Sequence, residues 1–258
     1  MISGVILDLD GTVYRGTEQV PGAGDFIRGL RDVGIPYLYV TNRSNRSPET
    51  VCEQLRGFGF ECEPDQVLTS AQATAAHLPN GSSAYVIGEE PLLDELKAGG
   101  ITMNDENPDY VVVSYDRQLT YEKLRIASQL IVNGAAYIAT NPDRGLNTEA
   151  GVYPGTGSIV AAVTAVVRQE PLVIGKPERR IFDLALERMQ VEREGVVAVG
   201  DNLNTDIPAA DAAGMKSAFI LTGISTRDDL PDAPIAPTWT VDSFEELATI
   251  IASENELV

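Results

Sequence analysis

Short apolar runs alternate along the 258-residue chain with longer stretches that carry one apolar face. That rhythm predicts an α/β fold, with strands at the apolar runs and amphipathic helices between them. GVILDLD (4–10), IPYLYVTN (35–42) and QVLTS (66–70) read as strands. GAGDFIRGLRDVG (22–34) reads as a helix with Phe26, Ile27, Leu30 and Val33 on one side and Gly34 as its stop. Ser47, Pro48 and Glu49 read as the cap, first-turn proline and first-turn acid of a helix running to Phe58.

PNGSS (79–83) is a loop signal, after which the rhythm restarts. AYVIG (84–88), YVVVSY (110–115) and AAYIATN (135–141) read as strands, with helices through LLDELKAGG (92–100) and YEKLRIASQLIVNG (121–134). PDRGLNTEAGVYPGTG (142–157) is expected as a long polar loop before an apolar helix that ends near Arg168. LVIGKP (172–177), GVVAVGD (195–201), SAFILTG (217–223) and TWTVDSF (238–244) continue the alternation. No repeat or low-complexity tract interrupts it. Two α/β sets suggest two layered units.

The net charge of -19 disfavours a nucleic-acid partner and an anionic membrane surface, since both would repel the chain. The 19 basic residues are 15 Arg and only 4 Lys. Acid excess with little lysine suits a salt-rich cytoplasm, where screening relieves self-repulsion; the alternative is an ordinary acidic soluble protein. Cys52 and Cys62 are too few for a disulfide framework and are expected as small buried thiols. No signal peptide is visible. The longest apolar-rich stretch, SIVAAVTAVV (158–167), is far short of the ~20 residues a membrane span needs. These features predict a reduced, soluble, cytoplasmic protein.

The candidate chemistry lies at strand ends. Within VILDLD, strand alternation would put Asp8 and Asp10 on the same face. A turn after the strand would explain Asp10 but not Asp8, which lies inside the apolar run. Ligands of open α/β sheets gather at the carboxyl ends of strands, so the pair points to a metal site or acid–base work. Thr41 and Asn42 end the next strand and offer a hydroxyl, an amide and backbone N–H groups to an anion, or simply a polar exit of the chain. Lys176, between Gly175 and Pro177, would face an anion near a helix start, or be a surface lysine. Asp201 ends a further buried strand, and Asp206 is either part of the same cluster or a helix cap. His77 lacks a nucleophile context, the His and Cys count is too small for a typical zinc site, and no Walker A or dinucleotide fingerprint occurs. A set rich in acids with oxygen-only ligands suits a hard divalent cation, most simply Mg²⁺. A lysine and hydroxyl or amide donors beside it suit a phosphoryl group.

DLDGT, VTN, GKP and GDNLNTD, in this order, resemble the four motifs of the haloacid dehalogenase superfamily of phosphohydrolases. DLDGTVYRG, VPGA, TSA (69–71), YVIGEE, PDYVVV, IATNPD, PGTGS and LTGIS are similar to its NagD-like, p-nitrophenylphosphatase-type branch. The resemblance implies a Rossmann-like parallel-sheet core formed by 1–79 and 172–258, with an α/β cap of the larger type inserted at 80–171. It implies Asp8 as the nucleophile that forms an aspartyl-phosphate, and Asp10 as the acid that protonates the leaving oxygen and then assists water. Mg²⁺ would be bound by Asp8, the main-chain carbonyl of Asp10, and Asp201, with Asp206 acting through water or from behind the ligands. Thr41, Asn42 and Lys176 would hold the phosphoryl group. Segment 142–155 is the candidate for substrate choice.

The function expected is a Mg²⁺-dependent phosphomonoesterase acting on a small phosphorylated metabolite. A sugar phosphate, phosphoglycolate, pyridoxal phosphate or a nucleotide would each be admissible. The rivals are another activity of the superfamily (a dehalogenase, mutase or phosphotransferase), a receiver-like module, and a non-catalytic protein that binds a phosphorylated ligand. Asp10 speaks against a dehalogenase, which lacks the second acid, and the large insert against a receiver. The pattern carries no reading of oligomeric state.

Overall fold

The computed structural model describes residues 1–148 and 151–255. The chain divides into two compact units, Met1–Thr41 with Pro48–Leu68 and Lys176–Val258, and Asn42–Ser47 with Thr69–Gly175. Both are built on parallel sheets, as the apolar runs separated by helical stretches require.

The first unit is organised by a six-stranded sheet in the order Trp239–Val241, Lys216–Ile220, Val196–Gly200, Gly4–Leu7, Tyr37–Thr41 and Val67–Thr69. Gly4–Leu7 is central, in parallel register with Val196–Val199 on one side and with Tyr37–Tyr39 on the other. All four of its residues are buried, which explains why they read as a continuous apolar run rather than an alternation. The helix Ala23–Asp32 buries Phe26, Ile27 and Leu30, and the ring of Phe26 packs 5.1 Å from that of Phe244 on the helix Phe244–Glu254. Each such side chain contributes about 1.5–3 kcal/mol by leaving water.

The strand VILDLD is shorter than its apolar pattern predicts. It ends at Leu7, and the chain then curls, because the Leu9 carbonyl accepts hydrogen bonds from the N–H groups of Thr12, Val13 and Tyr14. Gly11 completes the turn at φ +88°, a conformation that favours glycine. One further rung, Asp8 N–H to Val199 carbonyl at 2.9 Å, keeps Asp8 against the sheet end. Asp10 lies in the turn and is exposed. The two carboxylates therefore occupy different surroundings and are not equivalent residues of one strand face.

The second unit carries a five-stranded parallel sheet in the order Leu172–Val173, Ala136–Ala139, Tyr110–Val113, Ser83–Ile87 and Thr102–Met103. Leu172–Val173 pairs with Ala136–Ala139, and the helix Ser70–His77 packs on the helix Glu90–Ala98. Both segments therefore group with the insert, so this unit reaches beyond 80–171 at each end. The stretch 142–157, expected as a loop, contains an antiparallel hairpin of Gly145–Thr148 with Gly151–Pro154, followed by the helix Thr156–Val167. Residues 149–150 lie outside the described residues. The strand Gly151–Pro154 is exposed at every residue, so burial leaves no alternating signature to read there.

The cysteines depart from expectation. Cys52 and Cys62 form a disulfide with Cα atoms 5.3 Å apart, so they are not thiols and give no support to a reducing compartment. Two cysteines ten positions apart are compatible with either state, and only the fold shows that they meet. Ellman titration of the unfolded protein, purified without reductant, is expected to show no free thiol, and two after reduction. The Cys52→Ala/Cys62→Ala double variant is expected to lose about 2–3 kcal/mol in urea unfolding, as closing a loop of this size predicts.

Candidate active site

The loops at the carboxyl ends of three neighbouring strands of the first unit bring Asp8, Thr41 and Asp201 to one edge of the sheet. Lys176 enters from the segment before the helix Arg180–Met189 and is 3% exposed. Its ammonium donates to Asp8 Oδ1 at 2.5 Å, to Asp206 Oδ1 at 2.7 Å and, more weakly, to the Val40 carbonyl at 3.4 Å. Asp8, Asp201 and Asp206 each place a carboxylate oxygen within 4.8 Å of the others. All three lie almost out of water, Asp8 with 12% of its side chain exposed.

Asp206 is the first residue of the helix Asp206–Ala212 rather than its cap, and its Oδ2 accepts from the Asn202 N–H at 3.1 Å. Gly200 allows this approach: a Cβ there would lie 2.3 Å from the Asp206 Cβ. Asp201 accepts from the Thr12 hydroxyl at 3.2 Å and from the Ile224 N–H at 2.6 Å.

The electrostatics follow from burial. Desolvation pushes the Asp8 carboxyl well above the ordinary carboxylate range, with Asp206 and Asp201 adding to the effect and Lys176 opposing it. Desolvation and the Asp206 charge push Asp201 up to about 6, against the pull of the Ile224 N–H. Burial disfavours charge on Lys176, but Asp206 and Asp8 outweigh it and hold the ammonium protonated. Three carboxylates and one ammonium carry two formal negative charges in excess, at a place where charge is expensive. A hard divalent cation matches that excess and the all-oxygen donor set, so the residues fit Mg²⁺.

The chain matches the family model for haloacid dehalogenase-like hydrolases over residues 5–102 and a related hydrolase-like model over 173–247. It is 41% identical to 5'-nucleotidase YutF of Bacillus subtilis over 246 residues, spanning 94% of this chain and 96% of that one. It is 42% identical to an acid sugar phosphatase of Staphylococcus aureus, spanning 96% of each. Among solved structures, a 4-nitrophenylphosphatase from Thermotoga maritima superposes with a TM-score of 0.91 at 34% identity, covering 96% of this chain and 97% of that one. NagD from Escherichia coli K-12 gives 0.90 at 36% identity, covering 95% and 98%. The chain belongs to the haloacid dehalogenase-like hydrolases. It sits in their NagD-like, p-nitrophenylphosphatase-type branch and is an enzyme of phosphatase type.

Within this hydrolase the sequence-expected residues separate into three groups. Asp8, Lys176, Asp201 and Asp206 are in mutual contact or within a few ångströms, and Thr41 follows the Val40 carbonyl that Lys176 touches. Asp10 stands outside the buried acidic group, exposed in the turn and bridged through its main chain to Tyr14. Asn42 groups with the second unit, where its amide donates to Asp143 Oδ2 at 3.0 Å and its carbonyl accepts from Ser70 Oγ at 2.6 Å and Asn141 Nδ2 at 2.9 Å. Sequence reasoning assigned no part to Thr12 or to Thr222–Ser225, although DLDGT and LTGIS both stand out as motifs.

Removing the ammonium would leave three buried carboxylates without their counter-charge. Lys176→Met is therefore expected to lower stability by about 3–5 kcal/mol, read by urea denaturation in the absence of divalent cations.

Proposed function

We propose that this hydrolase is a Mg²⁺-dependent phosphomonoesterase that acts on a small phosphorylated metabolite through an aspartyl-phosphate on Asp8. The observation that carries the reading is Lys176, buried between Asp8 and Asp206 beside Asp201 at the carboxyl end of the sheet. Asp8, Asp201 and the main-chain carbonyl of Asp10 would hold the magnesium, which would supply Lewis-acid stabilisation of charge on the phosphoryl oxygens. Asp206 supports this group through Lys176 and the Asn202 N–H.

A carboxylate oxygen of Asp8 attacks phosphorus, and the bond from phosphorus to the ester oxygen breaks. Asp10 gives a proton to the departing oxygen. Water then attacks the phosphorus of the aspartyl-phosphate, its proton passes to Asp10, and Asp8 and inorganic phosphate are released. The exposure of Asp10 suits exchange with water and alcohol, whereas the burial of Asp8 suits attack without a competing hydration shell. Lys176 offsets the repulsion between the Asp8 anion and a phosphate anion. Thr41 offers its hydroxyl to a phosphoryl oxygen. Asn42 is the second candidate for holding the phosphoryl group, with its side-chain amide donating to Asp143.

The relatives named for 5'-nucleotidase, acid sugar phosphatase and 4-nitrophenylphosphatase activity support a small phosphorylated substrate. We assign the choice among such substrates to the inserted unit, with segment 142–155 as the candidate. A panel of sugar phosphates, nucleotides, phosphoglycolate and pyridoxal phosphate would identify the class.

The wild type is expected to hydrolyse p-nitrophenyl phosphate with Mg²⁺ and to lose turnover in EDTA. Asp8→Asn is expected to fall to background, and Asp10→Asn by about 10²–10⁴-fold, both with unchanged circular dichroism. Full activity in Asp8→Asn would remove the covalent route, and a wild type inert at every salt concentration would favour a binding protein.

Among the described residues no helix is long and apolar enough to cross a membrane. The composition supports a salt-rich working environment, since 38 acidic residues face 19 basic ones. Thermal denaturation is expected to shift upward by several degrees between low and molar KCl, and a flat or falling Tm would reject that environment.

A further inference from the structure

The segment Thr222–Ser225, at the exit of the strand Lys216–Ile220, lies against Asp201, as does the opening turn of the chain. Asp201 Oδ2 accepts from the Ile224 N–H at 2.6 Å, and the Asp201 carbonyl accepts from the Ser225 N–H at 3.1 Å. Ser225 Oγ in turn accepts from the Leu203 N–H at 3.1 Å, so one short segment holds Asp201 and the turn after it. Thr222 Oγ1 donates to the Gly11 carbonyl at 2.7 Å, and the Thr222 carbonyl accepts from the Arg15 guanidinium. The opening turn is thereby joined to the same segment, and it supplies the Thr12 hydroxyl to Asp201 Oδ1 at 3.2 Å.

Two glycines make this enclosure possible. A Cβ at Gly223 would lie 1.8 Å from Asp201 Oδ2, and one at Gly11 would lie 2.4 Å from the same atom. Gly11 also needs its left-handed φ of +88°, but Gly223 has no such requirement; what its position demands is space. Ile224 is 58% exposed, so it serves Asp201 through its main chain and not through its side chain.

We propose that Thr222–Ser225 is a positioning clasp that sets the Asp201 carboxylate for a divalent cation, with Gly223 as the residue whose missing side chain decides where that carboxylate stands. The inference rests on the metal-dependent reading above. The contacts of these residues run to Asp201, to the turn after it and to the opening turn, so they are positioning residues. The Ile224 N–H of the clasp holds one oxygen, and the Thr12 hydroxyl, on the opening turn that Thr222 ties to the clasp, holds the other, so the carboxylate cannot rotate freely.

The test is Mn²⁺ binding to the full-length protein, followed by electron paramagnetic resonance of free Mn²⁺, which requires no turnover. Gly223→Ala is expected to raise the Mn²⁺ dissociation constant about 10–100-fold. Thr222→Val, which keeps the shape and removes only the donor to Gly11, is expected to raise it by a smaller factor and serves if Gly223→Ala fails to fold. The control Gly29→Ala, on the exposed side of the helix Ala23–Asp32 with open space around it, is expected to bind as the wild type does. In p-nitrophenyl phosphate assays the clasp variants should need more Mg²⁺ for half-activation yet keep the wild-type KM at saturating Mg²⁺. A lower Tm with unchanged Mn²⁺ affinity and unchanged Mg²⁺ half-activation would show a merely structural role and overturn the clasp. Wild-type protein that binds no Mn²⁺ would overturn both the clasp and the metal-dependent function. Weakened Mn²⁺ binding in the variants of a protein without phosphatase turnover would leave the clasp standing and reject the function.

Discussion

The Lys176 ammonium, buried between two carboxylates, is the interaction on which the site depends. A lone ammonium in the interior would lose its proton, and lone carboxylates there would gain one. Together the opposite charges offset part of that cost: Asp206 and Asp8 hold the ammonium protonated, and Lys176 opposes the upward push of burial on the Asp8 carboxyl. The geometry is exacting, since Asp8 and Lys176 are 168 positions apart and meet only through the parallel sheet and the segment entering the helix Arg180–Met189. The rest of the first unit serves to bring these ends together. The central strand Gly4–Leu7 delivers Asp8, and its neighbour Val196–Gly200 delivers Asp201 and, through the following turn, Asp206.

Balance in the site is incomplete by design of the residue set. One ammonium stands against three carboxylates, and burial, with the neighbouring carboxylates adding to it, raises both Asp8 and Asp201. A divalent cation is the simplest group to relieve it. The same imbalance explains why so much structure surrounds Asp201: two hydrogen-bond donors, two glycines and a segment from the adjoining strand hold one carboxylate. Asp10 belongs to a different regime. The turn that follows Leu7 carries it out to solvent. Two acids two positions apart thus differ because one hydrogen-bonded turn begins between them.

The division into units has a consequence for the second strand. Thr41 closes the strand Tyr37–Thr41 in the first unit, while Asn42 opens the segment that groups with the second. In that second unit Asn42 joins a polar chain with Asp143, Ser70 and Asn141. Further along the segment, Ser44 pairs with Ser114, and Ser114 with Thr140. These groups sit just beyond the carboxyl ends of Tyr110–Val113 and Ala136–Ala139, where an open α/β sheet presents its unpaired polar groups. The adjacent residues of VTN thus belong to different packing environments.

By itself the sequence determined the class of fold, the strands and most helices, because buried parallel strands need continuous apolar runs and surface helices need one apolar face. It also determined which residue types gather at strand ends, since an acid inside an apolar run is costly enough to be conspicuous. Local patterning could not show that VILDLD stops at Leu7, because the stop is made by hydrogen bonds to the Leu9 carbonyl and not by a change in hydrophobicity. It could not show that Cys52 meets Cys62, that 142–157 contains a hairpin, or that the second unit takes in Leu172–Val173. Nor could it show that Asp206 stands in the buried cluster rather than capping a helix, or that Gly223 matters through the space it leaves beside Asp201. Each of these was decided by tertiary structure, for one physical reason. They are contacts between segments distant along the chain or main-chain hydrogen bonds, and neither leaves a mark on the local pattern of apolar and polar side chains.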